Sequence, residues 1–375
     1  MDCMSQPSIR TAVLGYGLAG RVFHCPFISA VPGLELAAIA FRTEDSAQRN
    51  GPQAAKDYPS AKILSSLDAA FDDPNLDLIV VATPNDTHFD LAARALRSGK
   101  HVVIDKPITG TSAEARELIT LATEQGKLLA PFHNRRFDGD FQTLRQLITA
   151  STLGRIVNIS SHFDRFRPVQ RPGSWKEAAG ESNGLLFDLG PHLIDQALAL
   201  FGLPKAITAS VRHERDVTAI DDAFDVILDY ELSGHTLRYE CHATMIAAAN
   251  APRFHANGTH GSFVKYGLDP QEAALKEDAR PPQLGSPGDW LAEPQSAWGT
   301  LTVAPNPSEP TELQQTKVPT LHGDYRLFYA NVRDAIQGTA PLVIPAEDAF
   351  RNLKLLELAL QSSQEQRTLA VDLSE

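Results

Sequence analysis

Cysteine is scarce: the 375 residues hold three, Cys3, Cys25 and Cys241, far apart and without a CxxC pair. That argues against a disulfide framework and fits reduced thiols. Long apolar runs are missing as well. No stretch approaches the ~18 uninterrupted apolar residues that a membrane span needs. The polar start, MDCMSQPSIR, lacks the apolar core of a signal peptide, so a soluble, cytoplasmic protein is expected. Positive charge is in deficit, with 34 Lys and Arg against 46 Asp and Glu and a formal net charge of −12. Nucleic acid and anionic membrane would be repelled at long range. An anionic cofactor would have to be held by local donors that outweigh this field.

The chain is long enough for two domains, each with its own core. Up to residue 132, apolar runs (Ile9–Leu14, Leu34–Phe41, Leu76–Ala82, His101–Ile104 and Lys127–Phe132) alternate with stretches of helical spacing (Asp68–Phe71, Phe89–Ser98 and Ser112–Glu124). Near-continuous apolar strands between helices predict a parallel sheet covered on both faces. Beyond His133, the segments Ile156–Phe163, Ala206–His213, Phe224–Glu231 and His235–Thr244 alternate apolar with polar residues, and Leu185–Phe201 and Pro345–Glu365 have helical spacing. The expected fold is therefore α/β: a Rossmann domain over residues 1–132, then an α+β domain over 133–375 with a large, mainly antiparallel open sheet. Asp269–Pro319, rich in proline, glycine and acid, is expected to be an irregular excursion. Exposure of Val226, Leu228 or their neighbours on the uncovered face would make an apolar patch, hence a homodimer or homotetramer through that sheet.

Directly after the first strand stands Gly15-Tyr16-Gly17-Leu18-Ala19-Gly20, a GxGxxG. The first glycine permits a tight turn, the second lets backbone approach a pyrophosphate, and the third lets helix and strand pack closely. Gly15, Gly17, Leu18, Ala19 and Gly20 are accordingly the first cofactor-binding candidates. The second strand ends in Ala40-Phe41-Arg42-Thr43, where an NAD site usually carries an acid for the ribose. Arg42 with Thr43 instead suits a 2′-phosphate and hence NADP. NAD stays possible, with Glu44 or Asp45 reaching the ribose.

Two further clusters carry chemistry. Asp105-Lys106-Pro107 closes the fifth strand, at the edge where open α/β sheets bind ligands; a lysine there can stabilise a developing alkoxide. In Asp188-Leu189-Gly190-Pro191-His192, acid and histidine are four apart and share a helix face if the helix is regular. Histidine accepts a hydroxyl proton near neutral pH, and a nearby carboxylate orients it. Asp188 could also merely cap a helix distorted by Gly190-Pro191. With no third ligand at zinc-type spacing, no metal is assigned.

GYGLAG, TPNDTH (Thr83–His88), DKP and DLGPHLID (Asp188–Asp195), in this order, resemble the Gfo/Idh/MocA oxidoreductases over essentially the whole chain. GYGLAGRVFHCPF, FHNRRFDGDF, SHFDRFRP and GSFVKYGLDPQE are most similar to its NADP-dependent scyllo-inositol dehydrogenases. The usual EKP reads DKP here, which leaves the acid's partner open. The resemblance implies Lys106, Asp188 and His192 as the catalytic set, with Lys106 also beside the cofactor and a cis peptide before Pro107. It implies Thr83, Asn85 and His88 along the cofactor cleft, and His133, Asn134, Arg135 and Arg136 near nicotinamide and substrate. Arg165 and Arg167 would face substrate hydroxyls and Trp175 would cover the site; a solvated basic patch and simple loop packing are the plainer readings. The implied activity is hydride transfer between a nicotinamide cofactor and a secondary hydroxyl of a cyclic polyol or sugar. A non-catalytic dinucleotide sensor and an NAD-dependent glycoside-cleaving enzyme are the alternatives.

Overall fold

The computed structural model describes residues 7–170, 177, 180, 182–287, 290–306, 308 and 312–373. The chain divides into two compact units, each assembled from three stretches: Met1–Asn134, Pro270–Trp290 and Asp324–Phe350 in the first, and Arg135–Asp269, Leu291–Gly323 and Arg351–Glu375 in the second.

Among the described residues, the first unit holds six strands: β1 (Ile9–Leu14), β2 (Leu34–Ala40), β3 (Lys62–Leu64), β4 (Leu78–Val81), β5 (His101–Ile104) and β6 (Leu129–Pro131). They pair in the order β3-β2-β1-β4-β5-β6, every pair parallel. Buried runs such as Ala12-Val13-Leu14 and Leu78-Ile79-Val80-Val81 have no polar alternation because helices cover both faces. Those helices are α1 (Cys25–Ala30), α2 (Glu44–Asp57), α3 (Asp68–Phe71), α4 (His88–Arg97) and α5 (Ser112–Glu124). The returning stretches add α8 (Gln271–Lys276) and α9 (Arg326–Ile336). The chain runs outward from β1 in both directions, so the strand order reverses beside β1, and ligands of such sheets lie at that reversal.

Among the described residues, the second unit contains nine strands in the order β14-β13-β12-β11-β7-β10-β9-β8-β15. Their ranges are β7 (Ile156–His162), β8 (Ala206–Arg212), β9 (Ala223–Leu232), β10 (His235–Thr244), β11 (Phe254–Gly258), β12 (Gly261–Lys265), β13 (Gly299–Val303), β14 (Gln314–Val318) and β15 (Leu369–Ala370). Among these described strands, β7 and β10 alone pair in parallel. Helices α6 (Gly139–Thr149), α7 (Leu185–Phe201) and α10 (Ala346–Glu365) complete it. Helix α7 lies on β9 and β10, its Phe201 ring 5.7 Å from Tyr230 and 6.4 Å from Tyr239.

Two expectations need correction. Val226 and Leu228 are fully buried on the face under α7, so the open face is not the apolar patch anticipated. Its residues are Asp225, Ile227, Asp229, Glu240, His242, Ser160 and Asn158, mostly polar. The stretch after Asp269 is not simply irregular, since α8, β13 and β14 lie in it. β14 reads Gln-Gln-Thr-Lys-Val, an exposed edge strand with no apolar alternation to betray it.

Candidate functional site

β1, β4 and β5 are adjacent, and their register aligns Leu14 with Val81 and Val81 with Ile104. Their carboxyl ends therefore deliver the glycine loop, the Thr83–His88 loop and Asp105-Lys106-Pro107 to one edge of the sheet. Gly15 turns the chain at φ +95°, and a Cβ on Gly20 would stand 2.2 Å from the Gly15 carbonyl oxygen. At Gly17 a Cβ would meet nothing within 4 Å. The loop thus leaves bare backbone facing open space, followed by a helical turn over Ala19–His24 that leads into α1. A pyrophosphate fits this cradle. Leu18 is half exposed beside it.

Register also aligns Leu14 with Ala40, so Arg42 leaves β2 at the same edge. Arg42 is exposed and forms no ion pair within the described residues. Thr43 caps α2, its hydroxyl accepting from the Ser46 N–H. Glu44 and Asp45 begin that helix, and Asp45 pairs with Arg49 at 2.8 Å.

The motif loops are braced from behind. His88 is buried, with Nδ1 2.8 Å from the Pro107 carbonyl oxygen and Nε2 2.9 Å from that of Thr83. Burial holds its pKa below the ordinary value, against the pull of Asp105. The neutral ring can donate to only one of the two carbonyls at a time, yet it ties the loop after β4 to the loop after β5. The Thr83 hydroxyl meets that of Thr87 at 2.7 Å. Asn85 opens a short 3-10 turn over Asn85–Thr87. The Lys106–Pro107 peptide is cis.

The partner of the acid in this motif is one that sequence could not supply. Asp105 Oδ2 lies 3.8 Å from Nε2 of His24, whose Nδ1 meets the Tyr329 hydroxyl at 2.6 Å. Asp105 Oδ1 accepts from the Lys106 N–H at 2.8 Å. Burial pushes the Asp105 pKa up, but the pull of His24, then of Lys106 and His88, prevails and holds it at about 2. A carboxylate with a depressed pKa stabilises the fold above its unfolded pKa near 3.8 and loses that contribution as pH falls toward about 2. Asp105→Asn should therefore be less stable than the unsubstituted protein at neutral pH, by about 2 kcal/mol. Denaturant titrations at stepped pH should show that gap closing between about pH 4 and 2.

In the second unit, α7 is one continuous helix through Gly190-Pro191. Its start is capped by Asp221, whose Oδ2 accepts from the Leu186 N–H at 2.8 Å. Gly184 precedes it at φ +106°, where a Cβ would lie 1.9 Å from Asp221 Oδ1. With that cap supplied from elsewhere, the Asp188 side chain serves another purpose: its Oδ2 meets Arg165 Nη1 at 3.3 Å, both side chains about one-fifth exposed. His192 follows one turn later on the same face, largely buried. Arg165 is held in place by its backbone, which donates to Thr244 O and accepts from the Ala247 N–H. Arg167 continues this pairing through Met245 O.

Arg135 is buried and paired with Asp138 at 3.2 Å, its guanidinium 4.8 Å from the Phe163 ring centre. Arg136 binds Asp195 through Nε at 2.8 Å and Nη2 at 2.6 Å. His133 and Asn134 are buried at the end of the first stretch of the first unit. Trp175 lies outside the described residues. Among those described, no helix is long and apolar enough to cross a membrane.

Comparison with known proteins gives the arrangement a lineage. Residues 9–133 match "Oxidoreductase family, NAD-binding Rossmann fold" and residues 145–372 match "Oxidoreductase family, C-terminal alpha/beta domain". An uncharacterized oxidoreductase of Escherichia coli, YdgJ, is 42% identical over 97% of this chain and 99% of its own. A Bacillus subtilis protein named scyllo-inositol 2-dehydrogenase (NADP(+)) IolW is 34% identical, covering 97% and 96%. The solved structure of a putative oxidoreductase from Yersinia pestis superimposes with a TM-score of 0.88 at 40% identity, covering 98% and 99%. Both domain matches and full-length relatives lead to one conclusion: the chain belongs to the Gfo/Idh/MocA family of oxidoreductases.

Proposed function

We propose that this oxidoreductase interconverts a secondary alcohol of a cyclic polyol, an inositol or a close relative, and the corresponding ketone with NADP(H). The observation that carries the reading is Asp188 and His192 one turn apart on α7, with Arg165 held against Asp188. The glycine loop and Arg42 would hold the dinucleotide, which when bound takes up or returns the hydride. His192 accepts the proton of the hydroxyl being oxidised. Lys106 holds that oxygen as it passes from alcohol to carbonyl. Asp188 and Arg165 bind and orient neighbouring hydroxyls and the imidazole. A substrate presenting several hydroxyls suits such a set, because each polar group buried without a partner would cost ~1–3 kcal/mol. The relative named for scyllo-inositol supports the same substrate class. A non-catalytic sensor would have no use for a proton-transfer set.

Steady-state rates with both cofactors across inositol isomers, inososes and common aldoses decide the proposal. Turnover of a ring polyol is expected. Activity confined to linear alcohols or imines would sink it, and aglycone release from a chromogenic glycoside would favour glycoside cleavage.

The choice of NADP rests on Arg42. Arg42→Ala should weaken NADPH binding by roughly tenfold to a hundredfold, the worth of a charge-assisted contact to phosphate, and leave NADH nearly unchanged. Fluorescence titration with both nucleotides tests it. A preference for NAD⁺ in the unsubstituted protein would transfer the ribose contact to Glu44 or Asp45.

Association into a homodimer or homotetramer through the open face of the second sheet belongs to the same reading. Polar strands are half exposed across its width, with Ile227 and Val264 among them. Sedimentation at micromolar concentration tests it, and a monomer would refute it.

A further inference from the structure

The open face of the second sheet carries a side-chain cluster that the hydride-transfer chemistry does not use. His162 ends β7 and His242 lies opposite it on β10, as register partners with ring centres 4.9 Å apart. Asp164, two residues beyond His162, returns to the same face. Its Oδ2 stands 3.4 Å from His162 Nδ1 and its Oδ1 3.5 Å from His242 Nε2.

Three features set this cluster apart from an ordinary surface ion pair. The Asp164 side chain is only 5% exposed, yet its Oδ1 and the facing His162 Nδ1 have no hydrogen-bond partner among the described residues. Two buried polar atoms thus stand within 3.5 Å of an oppositely polar group without a hydrogen bond to it. Second, the three donor atoms lie within 4.8 Å of one another. A tetrahedral ion about 2.0–2.1 Å from each N and O ligand sets its ligand atoms roughly 3.4 Å apart, and each histidine already has one Asp164 oxygen at about that separation, Oδ2 for His162 and Oδ1 for His242. Third, His242 has an outer partner. Its Nδ1 is hydrogen-bonded to Asp225, and Asp225 is held by Arg212 Nη1 at 2.6 Å. A carboxylate behind a ligating histidine fixes the ring and its tautomer, and with Nδ1 given to Asp225 the Nε2 atom on the Asp164 side would be the one to ligate.

We propose that His162, Asp164 and His242 bind one divalent first-row transition ion, with a position left for water or another ligand. Two imidazoles among three donors select such an ion over magnesium or calcium, which prefer oxygen throughout. The ion would also offset the two carboxylates, Asp164 and Asp225, that flank His242. None of the three ligands belongs to the residues assigned to the reaction, so this proposal stands or falls independently of the substrate.

The probe is zinc, added to chelator-treated full-length protein at mildly alkaline pH, where proton competition for the imidazoles is weak. Calorimetry should show one saturable site per chain, and cobalt(II) should give a visible ligand-field absorption that zinc abolishes. His162→Gln and His242→Gln should each lose the site. Asp225→Asn should weaken it by roughly tenfold to a hundredfold, as loss of an outer carboxylate does. His235→Gln, at the far end of β10, should change nothing. Zinc should raise the melting temperature of the unsubstituted protein and not that of the two ligand variants, whose metal-free melts report whether they fold. Absence of saturable binding to the unsubstituted protein overturns the proposal. So does an affinity that both ligand variants leave within about threefold, since even an outer-ligand loss exceeds that. Should neither variant fold, the cobalt spectrum of the unsubstituted chain decides alone.

Discussion

Turnover in Lys106→Ala and in His192→Ala is expected to fall by roughly 10²–10⁴-fold, the range that loss of a positioned acid or base produces. Under the proposed chemistry His192 takes the hydroxyl proton, and water replacing the imidazole would be a weaker base without fixed orientation. Lys106 follows β5 at the sheet edge where the glycine loop also ends. Its charge is asked to act on the oxygen as negative charge develops there. Neither side chain is needed to hold the phosphates, so NADPH affinity should change by less than about threefold, well short of a lost charge-assisted contact. The two effects should not add: with either group gone the same step is crippled, and the double variant should be little slower than the worse single one. The readout is kcat and KM measured together with nucleotide binding. A loss confined to KM would assign the residue to substrate binding alone. His192→Asn, similar in size, separates chemistry from packing around a residue only 8% exposed.

Legibility of this molecule in its sequence followed the range of the interactions involved. β1, β5, β10, α5 and α7 have the bounds their periodicity predicts, because each buries an apolar stripe with little else to obscure the signal. α2 reads Glu-Asp-Ser-Ala-Gln-Arg-Asn-Gly-Pro-Gln and buries little, so its helix depends on the Thr43–Ser46 capping box rather than on a stripe. β3, three residues at a sheet edge, offered too short a run. For the candidate site, the glycine loop, Lys106 and the Asp188–His192 spacing are local patterns and could be seen. The His24–Tyr329 brace of Asp105 joins residues more than three hundred positions apart, and no local pattern encodes it. The same holds for Asp221 as the cap of α7, which resolves whether Asp188 caps that helix. The anticipated apolar patch failed for a different reason. Alternation along β9 shows that two faces differ, but the side on which α7 lies decides which of them is solvated.

Arg136 is paired with Asp195 within the second unit, and this pair sets the largest stability effect expected here. Its guanidinium grips both oxygens of Asp195, and the two side chains are 10% and 2% exposed. Asp195 lies on α7, seven residues beyond Asp188 and three beyond His192, so the pair fastens the proposed base-bearing helix to the turn at Asn134–Phe137. Asp195→Ala removes the anion and leaves a buried cation, which costs about 3–5 kcal/mol. At roughly 2–4 °C per kcal/mol for a body of this size, the melting temperature should drop by about 10 °C. The alternative is that Asp195 acts mainly through packing volume, and a second variant separates the two. Arg136→Met with Asp195→Leu removes both charges while keeping apolar bulk, a replacement that is often neutral or stabilising for buried pairs. If charge governs, the double variant recovers most of the stability that Asp195→Ala loses. If it melts as low as the single variant, the pair's geometry, and not the charge left behind, is what the fold requires.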